Sequence, residues 1–153
     1  MINSDSLKEW IIKNNVVSRS IEYYWKYIDM YIEDVEDEYS NTLKYINLKL
    51  MSVKLRTASL TTNYEHQQDV ISICLDILYI NKYIGRYEIV YTLSAEYVDD
   101  FIELEDVHYI WRLADVYEKT SEIAKRALEE GAGLDFISKI TGLSINQISE
   151  NIE

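Results

Sequence analysis

Two hydrophobic periods coexist in this chain, and a fold built only of helices or only of strands cannot satisfy both. Between Ser20 and Tyr39, the residues Ile21, Tyr24, Trp25, Ile28, Tyr31, Ile32, Val35 and Tyr39 recur every three or four positions, which puts them on one stripe of a helix. Glu22, Lys26, Asp29, Glu33, Glu36 and Asp37 fall on the opposite side. From Asp69 the period drops to two. Ile71, Ile73, Leu75, Ile77 and Tyr79 alternate with Ser72, Cys74 and Asp76, the pattern of a β-branched strand with one buried face. Asn81 to Gly85 then reads as a turn and Tyr87 to Leu93 as the return strand of a hairpin. Val70, Ile71, Cys74, Leu75 and Leu78 also recur at helical spacing, so a helix is the competing reading of that run.

The remaining elements are placed around these two signals. Ser4 or Asp5 caps a short helix through Leu7, Trp10 and Ile11, with Asn14-Asn15 as its stop. The long helix starts near Ser18 or Ser20 and is predicted to end near Tyr39. Ser40-Asn41-Thr42 is its break, and the alternating Ile46, Leu48 and Leu50 read as strand. Thr61-Thr62-Asn63 reads as loop. Asp99-Asp100 punctuates before Phe101 to Leu104, a further strand or the approach to the next helix. That helix spans about 107–130 and stops at Gly131 and Gly133. The order predicts a single α+β domain over 1–153, with 1–40 helical, 44–104 mainly β and 107–153 helical.

The net charge is -12, from 27 acidic and 15 basic side chains, which disfavours attraction to nucleic acid or to anionic membrane. Cys74 is the one cysteine, so no intramolecular disulfide forms, and its apolar surroundings predict a small buried hydrophobe. The opening residues lack the charged and apolar regions of a secretory signal, and no run approaches the roughly 18 apolar residues of a membrane span. A cytoplasmic location is the expectation. His66 and His108 stand apart in sequence with no spacing that makes a metal pair, and neither a phosphate-binding glycine loop nor a nucleophile elbow is present. No cofactor, metal or catalytic residue is therefore expected.

The tail carries glycine-punctuated helical segments in a helix-turn-helix order. Ser144 is placed to cap a last helix, with Ile145, Ile148 and Ile152 on one side and Asn146, Gln147, Ser149, Glu150 and Asn151 on the other. From Ile140 to Glu153 there is no Lys or Arg, so the phosphate contacts that hold a recognition helix in register are missing. Packing or docking is the expected role of this tail. Its residues, Ile123-Ala-Lys-Arg-Ala-Leu-Glu-Glu-Gly131 and Leu134 to Ile145, resemble the C-terminal tail of the recombination-promoting nuclease and transposase family, which has a PD-(D/E)XK fold. The resemblance covers less than the last quarter of the chain. It implies a metal-dependent nuclease in which Glu65-His-Gln67 and an upstream Asp34 or Asp37 would hold Mg²⁺. A surface loop is the simpler reading of that triplet.

Two acidic clusters remain. Glu33, Asp34, Glu36, Asp37 and Glu38 lie near the predicted end of the long helix, where negative charge opposes the helix dipole. Asp99, Asp100 and Glu103 follow the hairpin. Of the 14 tyrosines, Tyr24, Tyr31 and Tyr79 fall on predicted core faces, whereas Tyr23, Tyr27, Tyr83 and Tyr97 are expected at the surface. Tyrosine beside carboxylate makes a good protein-contact surface, because the ring brings area and the hydroxyl finds polar partners. The predicted function is a non-catalytic, acidic inhibitor or regulator. Its contact residues would be Glu33, Asp34, Glu36, Asp37, Glu38, Asp99, Asp100, Glu103, Tyr27 and Tyr97. Its partner would be a basic protein surface, in a concrete version the nucleic-acid-binding site of a host enzyme blocked by a phage or mobile element. An antitoxin or immunity protein fits the same residues, and the nuclease is the enzymatic alternative. A homodimer through the aromatic stripe of the long helix is a further expectation.

Overall fold

The computed structural model describes residues 4–63 and 68–150. It is α+β, as the two periods require. Contacts divide it into two compact units, Met1–Ile110 and Trp111–Glu153. The first holds α1 (Ser4–Lys13), α2 (Val16–Asp34), α3 (Glu38–Tyr45), a 3₁₀ turn (Leu48–Leu50) and four strands. The strands β1 (Met51–Asn63), β2 (Gln68–Tyr79), β3 (Lys82–Thr92) and β4 (Tyr97–Leu104) form an antiparallel sheet in the order β1-β2-β3-β4. Among the described residues no helix is long and apolar enough to cross a membrane.

Asn15, in the left-handed region at φ 50°, turns the chain from α1 into α2. Val16, Ser20, Tyr24 and Ile28 follow at four-residue spacing and are fully buried together with Ile71, Ile73, Leu75 and Ile77 of β2 and Tyr87, Ile89 and Tyr91 of β3. Ser20 Oγ donates to the Val16 carbonyl at 2.7 Å and lies 3.0 Å from the Tyr91 hydroxyl, so the buried Ser20 hydroxyl is satisfied. Tyr24 and Ile28 are covered by the chain's own sheet and offer no surface to a second copy.

Five sequence expectations are corrected here. The long helix ends at Asp34 rather than near Tyr39, because Val35 is extended and Asp37 opens a new helix. The Asp37 carboxylate accepts from the Ser40 amide at 2.7 Å, and Ser40 Oγ is 3.2 Å from the Asp37 amide, a reciprocal cap that outcompetes continuation of α2. The strand expected through Ile46, Leu48 and Leu50 is instead the end of α3 and the 3₁₀ turn, whereas Thr61 to Asn63, read as loop, lie in β1. The hairpin turn is Ile80-Asn81, both residues at positive φ (51° and 60°), so that Lys82 to Gly85 already belong to β3. A two-residue turn of this hand matches the twist of the strands it joins. Asp99 and Asp100 are within β4 rather than before it.

The second unit contains the bulk of α4 (Val107–Glu129), α5 (Leu134–Thr141) and α6 (Ile145–Glu150). Ala124, Ile137, Leu143 and Ile148 form its buried centre, with Tyr117, Ala127, Leu128 and Ala132 packed around them. Gly131 and Gly142, at φ 83° and 73°, supply the left-handed residues that end α4 and α5. Ser144 caps α6 as expected. Its Oγ accepts from the Gln147 amide at 3.2 Å, and Gln147 Oε1 accepts from the Ser144 amide at 2.8 Å. Ile152 lies outside the described residues.

A candidate protein-contact surface of tyrosine and carboxylate

On α2, Tyr23, Tyr27 and Tyr31 recur every four residues beside the fully buried Tyr24 and Ile28. All three are half-buried, so each shows part of a ring to solvent. Tyr27 stacks on Tyr31 at 5.9 Å between centroids and touches the Tyr87 ring of β3 at 5.8 Å. Tyr23 stacks on Tyr97 of β4 at 5.4 Å. Helical spacing thus lines up one row of rings, and β3 and β4 supply the second.

The two carboxylates are set by these rings. The Tyr31 hydroxyl donates to Asp37 Oδ2 at 2.5 Å. Tyr87 donates to Asp100 Oδ2, and Tyr97 to Asp100 Oδ1 at 3.1 Å. Asp37 and Asp100, one from each acidic cluster, therefore flank Tyr27 through Tyr31 and Tyr87. Burial raises the Tyr27 phenol, and the charges of Asp100 and Asp37 raise it further. Burial and the bond to Asp37 hold Tyr31 well above the usual phenol range, and burial with Asp100 does the same for Tyr87. Tyr97 is pushed up to about 12 by burial and then by Asp100. Asp37 is held below the usual carboxylate range, first by the Ser40 amide and next by the Tyr31 hydroxyl. At neutral pH the phenols stay protonated and Asp37 stays charged.

The predicted contact residues separate into three groups. Asp37, Asp100, Tyr27 and Tyr97 meet in the ring cluster. Glu33, Asp34, Glu36 and Glu38 stand exposed next to Asp37, on the last turn of α2, the connection and the first turn of α3. Only Glu33 and Asp34 oppose a helix dipole. Asp37 and Glu38 sit at the start of α3, where negative charge is favourable, which corrects the expectation for the cluster as a whole. Asp99 and Glu103 lie apart from both groups. They pair in register with Val90 and Arg86, and so occupy the opposite face of the sheet from Asp100, whose partner is the buried Ile89. Arg86 Nε donates to Glu103 Oε2 at 2.7 Å beside a cavity of about 300 Å³ lined by Tyr83, Gly85, Leu104 and Glu105.

Tyr31 and Tyr87 are not among the contact residues that the sequence predicts. For Tyr31 the signal was its spacing from Tyr27 on the helix and its distance of six residues from Asp37. For Tyr87 no local signal exists, since its partner Asp100 arrives through strand pairing.

Elsewhere, Cys74 is buried and its thiol is raised, first by burial and then by Glu88. His108 is exposed at the start of α4, where Asp106 accepts from the amides of His108 and Tyr109. Glu65, His66 and Gln67 lie outside the described residues. Among the described residues no three His, Cys, Asp or Glu side chains are grouped to hold a metal ion. No family model, curated protein or solved structure matches this chain.

Proposed function

We propose that the chain is a non-catalytic binding protein whose tyrosine and carboxylate surface occupies a basic site on another protein. The observation that carries this reading is the convergence of the two acidic clusters on Tyr27, with Asp37 and Asp100 both fixed by phenol hydroxyls. Four further carboxylates, Glu33, Asp34, Glu36 and Glu38, are exposed beside it. Such a surface offers rigid aromatic area with ordered negative charge, which suits Arg and Lys side chains through ion pairing and ring-face contact. Lys26 Nζ already stands 5.8 Å from the Tyr23 ring. A nucleic-acid-binding site is the concrete target, because ordered carboxylates beside stacked rings reproduce the charge and stacking that such a site selects. Inhibition of a host nucleic-acid enzyme by a mobile element, or an immunity role, would use the same surface.

The test is competition. A basic nucleic-acid-binding protein retained by this chain at low salt should release its nucleic acid when the chain is added. Glu33→Lys with Glu36→Lys should weaken retention by at least about tenfold, since charge pairs at such interfaces couple by more than 1 kcal/mol. Retention unchanged by that double reversal, or a ternary complex holding both chain and nucleic acid, would rule the reading out.

A further inference from the structure

The sheet has two free edges of opposite charge. Between Glu38 and Glu65 the sequence has no acidic residue and carries Lys44, Lys49, Lys54 and Arg56, the last two on β1. Between Arg86 and Arg112 it has no Lys or Arg, and β4 carries Asp99, Asp100 and Glu103. β1 and β4 are the outermost strands, so among the described residues each leaves one row of backbone groups without a strand partner. Lys54 pairs in register with Asp76, and Arg56 reaches the same Asp76 at 3.3 Å, which puts both on the face away from α2. Asp99 and Glu103 occupy that face too. On the α2 side, Leu55 of β1 remains 41% exposed, while β4 presents Ile102 and Leu104.

From this we infer that copies of the chain associate edge to edge, β4 of one against β1 of the next, extending one sheet across the interface. This goes beyond the proposed partner surface and uses different carboxylates, Asp99 and Glu103 in place of Asp37 and Asp100. Symmetric pairing is disfavoured at both edges. β1 against β1 would oppose Lys54 and Arg56 with themselves, and β4 against β4 would oppose carboxylates. Lysine is a usual guard of an edge strand, and Lys54 repels a like edge without repelling an acidic one. The heterologous pairing instead brings Lys54 and Arg56 beside Asp99 and Glu103 on one face, and Leu55 beside Ile102 and Leu104 on the other. Because the contact is head to tail, it builds a ring or an open filament rather than a closed pair.

Sedimentation velocity of the full chain over a range of concentrations tests this directly. The wild type should form oligomers at low salt and lose them at high salt. Lys54→Glu with Arg56→Glu leaves two acidic edges, and Asp99→Lys with Glu103→Lys leaves two basic ones. Each double variant alone should shift the association midpoint by at least about tenfold, the sum of several cross-strand charge pairs. An equimolar mixture of the two should restore association, which misfolded variants would not do. A wild type that stays monomeric at low salt, oligomers that persist in either variant alone, or a mixture that fails to reassociate would overturn the inference.

Discussion

Tyr24 stands edge-on to Trp25 and Tyr87, with centroid distances of 5.0 and 5.5 Å, and its hydroxyl has no hydrogen-bond partner among the described residues. Burial accordingly drives its phenol far above the ordinary range. A buried hydroxyl without a partner costs its desolvation and returns nothing, whereas the ring supplies packing that phenylalanine would keep. Tyr24→Phe should therefore raise stability by about 1 kcal/mol, seen as a higher urea midpoint at unchanged slope. A lower midpoint would mean that the hydroxyl is satisfied in solution. Its neighbours Tyr31 and Tyr87 make the opposite use of the same group, each donating to a carboxylate. The burial of Tyr24 was legible from helical spacing alone. Its missing partner was not, because that depends on which strands lie across from it.

The elements show where local chemistry was decisive and where it misled. Asp37 and Ser40 form a cap readable from a three-residue spacing, yet the apolar stripe running through Val35 to Tyr39 masked it. The Ile80-Asn81 turn was hidden for a related reason, since a β-branched residue is seldom found at positive φ and Ile80 reads as the end of the strand. The sequence places Gly85 in that turn, but its role is in the sheet. A Cβ there would lie 2.3 Å from the Glu103 carbonyl oxygen of β4. Gly85→Ala should push β4 away from β3 and cost about 2 kcal/mol, with early loss of amide protection at Arg86 and Glu103 in hydrogen exchange. Wild-type protection and an unchanged unfolding midpoint in that variant would show that the strands accommodate the methyl group.

Across the whole molecule the charge is unevenly spread. Residues 1–110 hold 19 acidic and 10 basic side chains, a net of -9, against 8 and 5, a net of -3, in residues 111–153. The phenols of the ring cluster add to this at high pH. Tyr27, Tyr31, Tyr87 and Tyr97 all have folded values raised above the unfolded value of about 10. Their contribution to stability is thus complete below about pH 10 and is lost as pH climbs through the folded values, that of Tyr97 lying near 12. The urea midpoint should fall across pH about 10 to 12, with tyrosinate absorbance from these residues rising in step with unfolding. A flat midpoint over that window would contradict the ring cluster. The fold class, the hairpin, the buried stripe of α2 and the capped tail were determined by the sequence itself, because each rests on periods and caps spanning a few residues. The meeting of Asp37 with Asp100 around Tyr27, and the separation of Asp99 and Glu103 to the other face, were decided only by the tertiary structure. Alternation along β4 sends adjacent carboxylates to opposite sides of the sheet, and strand pairing alone fixes which side α2 covers.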